Sequence, residues 1–153
     1  MSKYKYEIIK TKDPEVIRFI LPLAKKLIDK NKYDYSLENF AQWCRAGISN
    51  SCCGFWVCTK TNGGKNRFLK EDKKLVGYSI AVMMSFIGNE QIFIYHLYSD
   101  DKNRKVAQDL FEAVCSWGKE NGVKKVSALV KKPKGMAKIF NAKIGSTMLF
   151  KEI

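Results

Sequence analysis

No apolar run among the 153 residues approaches the ~20 that a membrane-spanning helix needs, which excludes a helical membrane protein. The opening MSKYKYEIIK is charged and alternating, with no signal-peptide core, so secretion is not expected. Cysteine is present but odd in number: Cys44, Cys52, Cys53, Cys58 and Cys115 make five, contain no Cys-x-x-Cys pair, and are joined by a single histidine, His96. That excludes a closed disulfide framework and the usual zinc spacings, and predicts reduced thiols in a cytoplasm-like compartment. No Walker loop, nucleophile elbow, acidic metal cluster, internal repeat or linker is found, so no metal is expected and residues 1–153 read as one domain. Acidic residues are scarce: 15 Asp and Glu stand against 28 Lys and Arg, a net charge of +13. Such a balance favours anionic partners, although the basic residues are dispersed from Lys3 to Lys151, as on a solvated surface.

What is there reads as alternating elements. Tyr4 to Lys10 alternates like a strand. Asp13-Pro14-Glu15 opens a helix whose apolar face carries Val16, Ile17, Ile20, Leu23, Ala24, Leu27 and Ile28, with Pro22 expected to kink or divide it. Ser36 caps a second helix through Phe40 and Cys44. Strands follow at Gly54–Lys60, Leu75–Phe86 and Gln91–Tyr98, the first two joined through a Thr61-Asn62-Gly63-Gly64 turn and a lysine-rich loop. A helix is predicted from Ala107 to Asn121, ended by Gly122; then a strand over Val126–Val130, a helix over Met136–Ile144 and a last strand over Thr147–Phe150.

This order resembles the GNAT acetyltransferase fold over nearly the whole chain. "KKLVGYSIAV" looks like that family's third strand, "FIYHLYSDDKNRKVAQDLFEAVCSWGKENG" like its fourth strand, pyrophosphate loop and long helix, and "GMAKIFNAKIGS" like its final helix and turn. The resemblance implies a single-domain α/β fold, with a central mixed twisted sheet of about six to seven strands and about four flanking helices. It also implies acetyl-CoA as cosubstrate and an amine as acetyl acceptor. In that pattern Leu97, Tyr98 and Ser99 end the strand that holds the pantetheine. Lys102, Asn103, Arg104, Lys105, Val106 and Ala107 form the loop and helix start that would present N–H groups to the pyrophosphate.

Two signature positions differ. Lys105 stands where the loop's central glycine is usual, and Asn141 where a tyrosine of the last helix protonates the leaving thiolate. Asn cannot supply a proton. For the base, the resemblance points to Glu90 near the start of the fourth strand, or to His96 on it, with Tyr98 as a further proton-handling group; a strand histidine is otherwise a packed, hydrogen-bonded core residue. Three functions stay open. The first is an N-acetyltransferase. The second is a catalytically degenerate GNAT-like assembly protein binding an acidic or nucleic-acid-associated partner; the "FNAKIGS" ending looks like that of small phage head and internal proteins, which would make it a virion component. The third is a basic nucleic-acid-binding module without a recognisable reading motif.

Overall fold

The computed structural model describes residues 5–61, 73–86, 89–100, 104–128, 137–138 and 140–142. They run β1 (Lys5–Thr11), α1 (Val16–Asn31), α2 (Leu37–Gly47), β2 (Cys53–Thr61), β3 (Lys73–Phe86), β4 (Asn89–Ser99), α3 (Arg104–Glu120) and β5 (Val126–Ala128). The sheet order is β1-β2-β3-β4-β5. The first four strands form an antiparallel meander, and β5 lies parallel to β4 after the α3 crossover. The described residues thus give five strands and three helices, fewer than the six to seven strands and four helices expected. The expected strand at 147–150 and the lysine-rich loop at 62–72 lie outside them.

Each face of the sheet has its own core. α1 and α2 pack Ile20, Leu23, Phe40 and Cys44 onto Phe55, Val57, Tyr78 and Ile80. On the opposite face α3 packs Leu110, Val114 and Trp117 onto Trp56, Ile92 and Ile94. Helical spacing on one side and strand alternation on the other meet in both layers.

Two bulges change which residues face which helix. In β4 the register passes from Ala81–Ile94 to Ile80–His96, so Tyr95 has no opposite number in β3. Ile92 and Ile94 belong to the α3 core, yet Tyr95 meets the Trp43 ring of α2 at a tilt, and the very next residue, His96, stacks on Phe40 of α2. Two consecutive residues therefore share one face. Similarly, Val76 is the extra residue where β3 passes Cys58 and Thr59 of β2.

Pro22 does not divide α1, which runs as one helix from Val16 to Asn31. Proline removes one hydrogen bond and costs about 3 kcal/mol; the seven buried residues from Val16 to Ile28 hold the helix across it. Asp13 does cap the turn that leads into α1, accepting from Glu15 N at 3.0 Å. Ser36 accepts from Asn39 N at 3.1 Å, as its position predicted.

α3 starts at Arg104, three residues before the sequence reading. Val106 is buried on the sheet and Lys105 pairs with Asp109 at 3.3 Å one turn on, so both favour helix over loop. The helix ends as Gly122 turns left-handed (φ 71), with Val123 N bonded to Gly118 O at 2.8 Å.

Gly77 seats the start of α3. A Cβ there would lie 2.9 Å from the carbonyl oxygen of Tyr98, 3.1 Å from Leu110 and 3.4 Å from Val106. Gly77→Ala is expected to cost about 1–3 kcal/mol, since the tightest contact is backbone and cannot rotate away. Thermal unfolding checks this; an unchanged midpoint would show that α3 is free to shift outward.

Candidate active site

β4 pairs with β5 only at Ile92–Val126, Phe93–Ser127 and Ile94–Ala128 among the described residues. It then continues for five more residues, Tyr95 to Ser99, toward the N-terminus of α3. Backbone groups along the edge of a strand can hold an extended ligand by adding to its ladder. The first turn of a helix adds N–H groups that have no intrahelical acceptor. Arg104 and Lys105 are exposed in that first turn, and Lys102 and Asn103 lie outside the described residues. Lys105 therefore begins a helix rather than occupying a loop. This geometry fits a molecule with an extended amide-containing arm and an anionic end, which is the chemistry of coenzyme A.

Leu97 packs toward the α3 core, Tyr98 toward the α1–α2 core, and Ser99 stands opposite Gly77. The end of β4 is tied across the molecule. Lys26 of α1 reaches Asp100 with its ammonium 3.0 Å from both carboxylate oxygens, and the Tyr98 hydroxyl donates to Asp100 Oδ1 at 3.2 Å. The Lys26 hydrogen bond holds the Asp100 carboxyl below its ordinary range. Asp100 N completes the anchor by donating to Val76 O at 2.7 Å, beside the bulge in β3.

The sequence candidates are not all brought together. Glu90 is exposed opposite Ser85, six residues before His96, or roughly 20 Å along the strand. Alternation places it on the α3 face, whereas the bulge turns His96 to the α2 face. Asn141 departs from the predicted helix: it is exposed and left-handed (φ 50), with Ala142 N bonded to Ala137 O at 2.8 Å and Asn141 N to Lys138 O at 3.5 Å. Those bonds are a Schellman ending, so the helical residues 137, 138 and 140 end before Asn141 and do not run through it. Asn accepts this conformation readily; a tyrosine would be strained in it. Phe140 anchors the ending by stacking on Phe111 of α3, 4.6 Å between ring centroids.

His96 is 3% exposed and held on all sides. Its Nδ1 meets the Tyr78 hydroxyl at 2.8 Å and its Nε2 meets the Tyr35 hydroxyl at 2.6 Å. Its ring lies almost parallel to Phe40, 4.4 Å between centroids. Burial lowers its pKa from 6.5 to about 4, so the imidazole is neutral at pH 7. Burial likewise pushes Tyr35 up to about 12 and Tyr78 further.

Sequence reasoning missed Tyr35, Phe40 and Tyr78 as partners of His96. One signal was available. With Ser36 as the cap, Tyr35 precedes it and Phe40 is the fourth helical residue, the two positions of a hydrophobic staple. Both close on His96. Trp43 and Tyr95 extend the aromatic surface outward, 5.2 Å apart and 38% and 44% exposed.

All five cysteines are free, and burial raises the Cys44 thiol to about 12, which makes it unreactive. Among the described residues no group of three or more His, Cys, Asp and Glu side chains is placed to hold a metal ion. No helix among them is long and apolar enough to cross a membrane.

No protein-family model matches the chain, and no curated protein sequence does either. Solved structures do. A predicted acetyltransferase from Clostridium acetobutylicum, crystallised with acetyl-CoA, superposes with a TM-score of 0.76 at 11% identity, over 97% of this chain and 96% of that one. The aminoglycoside N-acetyltransferase AAC(6')-Iy, in complex with CoA, gives 0.76 at 10% identity over 98% and 95%. A ribosomal-protein-alanine N-acetyltransferase from Brucella melitensis biovar Abortus gives 0.68 at 13% identity over 97% and 99%. The fold is that of the GNAT acetyltransferases. At these identities the likeness concerns the backbone architecture alone.

Proposed function

We propose that the protein is an acetyl-CoA-dependent N-acetyltransferase. The observation that carries the reading is the course of β4 through Tyr95 to Ser99 toward the N-terminus of α3, whose first turn carries Arg104 and Lys105. Leu97, Tyr98 and Ser99 supply backbone groups for the pantetheine arm. The α3 N-terminus, with Arg104 and Lys105 and following Lys102 and Asn103, receives the pyrophosphate; Val106 and Ala107 set the helix in place. When bound, acetyl-CoA supplies the activated acetyl group, and the chain's task is to hold it beside an amine and to manage protons. Structural neighbours named for aminoglycoside and for ribosomal-protein-alanine acetylation support an amine acceptor. The net charge of +13 disfavours a polycationic acceptor and favours an amine on a neutral or acidic molecule.

Acetyl-CoA should raise the unfolding temperature, because binding to the folded state alone stabilises it by about 2.7 kcal/mol at a hundredfold excess over Kd. The shift should shrink with salt as phosphate contacts are screened. No shift at millimolar acetyl-CoA would sink the reading.

A further inference from the structure

The hydrogen bonds around His96 have a direction, and it ends on Tyr35. Tyr78 is fully buried, and its hydroxyl has one partner among the described residues, Nδ1 of His96 at 2.8 Å. A hydroxyl has one proton and two lone pairs. With a single partner, that proton points at Nδ1, because the opposite arrangement strands a buried donor. Nδ1 is then the bare nitrogen and Nε2 carries the hydrogen, which it donates to Tyr35 Oη at 2.6 Å. The phenolic proton of Tyr35 is left to point outward. Tyr35 is 37% exposed and borders a hollow of about 420 Å³ between the end of α1 and the start of α2, shared with Lys32, Ser36 and Leu37.

We infer that Tyr35 is the proton donor of the acetyl transfer, with His96 and Tyr78 as positioning residues; this rests on the acetyltransferase reading. The amine nitrogen forms the new C–N bond as the thioester C–S bond breaks. The sulfur takes the Tyr35 phenolic proton, and the proton shed by the amine returns to the phenolate oxygen. Nε2–H steadies that oxygen between the two transfers, so no net charge is left behind and His96 remains neutral. Burial supports both states, keeping the phenol protonated and the imidazole uncharged. Asn141, which ends its helix exposed and left-handed, carries no hydroxyl to compete for the role.

Nitrogen NMR of His96 should find Nδ1 unprotonated and Nε2 protonated; the reverse tautomer overturns the inference. Tyr35→Phe should stay folded with a modestly lower thermal midpoint, since it strands the buried Nε2–H, and should keep its calorimetric affinity for acetyl-CoA while slowing CoA-thiol release about 100-fold in kcat. The acceptor would be the faster of a neutral and an acidic alanine-initiated tripeptide, with KM for it little changed. Tyr78→Phe should slow release by a smaller factor, about tenfold, because the tautomer is no longer fixed. Should Tyr78→Phe fail to fold, the tautomer and Tyr35→Phe still decide. Bound acetyl-CoA with turnover untouched in Tyr35→Phe overturns the inference alone. Acetyl-CoA that fails to bind the unaltered protein overturns it together with the reading beneath it.

Discussion

Acidifying the protein from pH 7 to pH 4 should remove about 3 kcal/mol of stability through His96 alone. The imidazole titrates near 6.5 in the unfolded chain and at about 4 in the folded one, because burial penalises the imidazolium. Between those values the unfolded chain binds a proton that the folded chain refuses. Stability from this source is therefore complete above about pH 6.5, falls as the pH drops, and levels off below about pH 4. Denaturant unfolding at a series of pH values measures it. His96→Gln should start less stable and show a flatter slope, while carboxylates such as Asp100 contribute equally to both proteins. Parallel curves for the two proteins would mean that His96 takes up a proton as readily in the folded site as in the unfolded chain.

Phe40→Ala should cost about 3–5 kcal/mol, among the largest losses available to a single truncation. Phe40 is 4% exposed and makes the flat contact with the His96 ring, so its loss leaves a void directly over the imidazole. The unfolding temperature should drop by roughly 10 °C. A second effect follows from the first. Water entering the void would solvate the imidazolium, raise the His96 pKa and flatten the acid slope just described. Trp43→Ala, on the same helix but 38% exposed, should cost far less and leave that slope intact. Equal losses from the two substitutions would show that the site collapses around either ring.

The order of the described elements and the ends marked by single residues were legible because each rests on local chemistry. Ser36 before an apolar face and Gly122 after one are such cases. α3 was read three residues short because Arg104, Lys105 and Val106 resemble a polar loop until the sheet beneath Val106 is known. Asn141 was read as mid-helix because the pattern of Met136, Phe140 and Ile144 continues past it; the Phe111–Phe140 contact belongs to tertiary structure. Pro22 misled in the opposite sense, since its local penalty was visible and the burial that outweighs it was not. The surroundings of His96 were hidden for a further reason. Tyr35, Phe40 and Tyr78 come from a loop, a helix and another strand, and only the extra residue in β4 turns His96 toward them.

That extra residue, Tyr95, sets the phase of the strand. Every position upstream of it, back to Glu90, reads inward and outward in the opposite sense to the positions downstream. A comparison that sets this strand against one lacking the insertion must open a gap at Tyr95. Slid past it, the alignment exchanges the two faces, matching residues that pack beneath α3 with residues that meet α1 and α2. One inserted or deleted residue at this point can thus hand a whole set of side chains from one compartment of the protein to the other, while the strands around it keep their order.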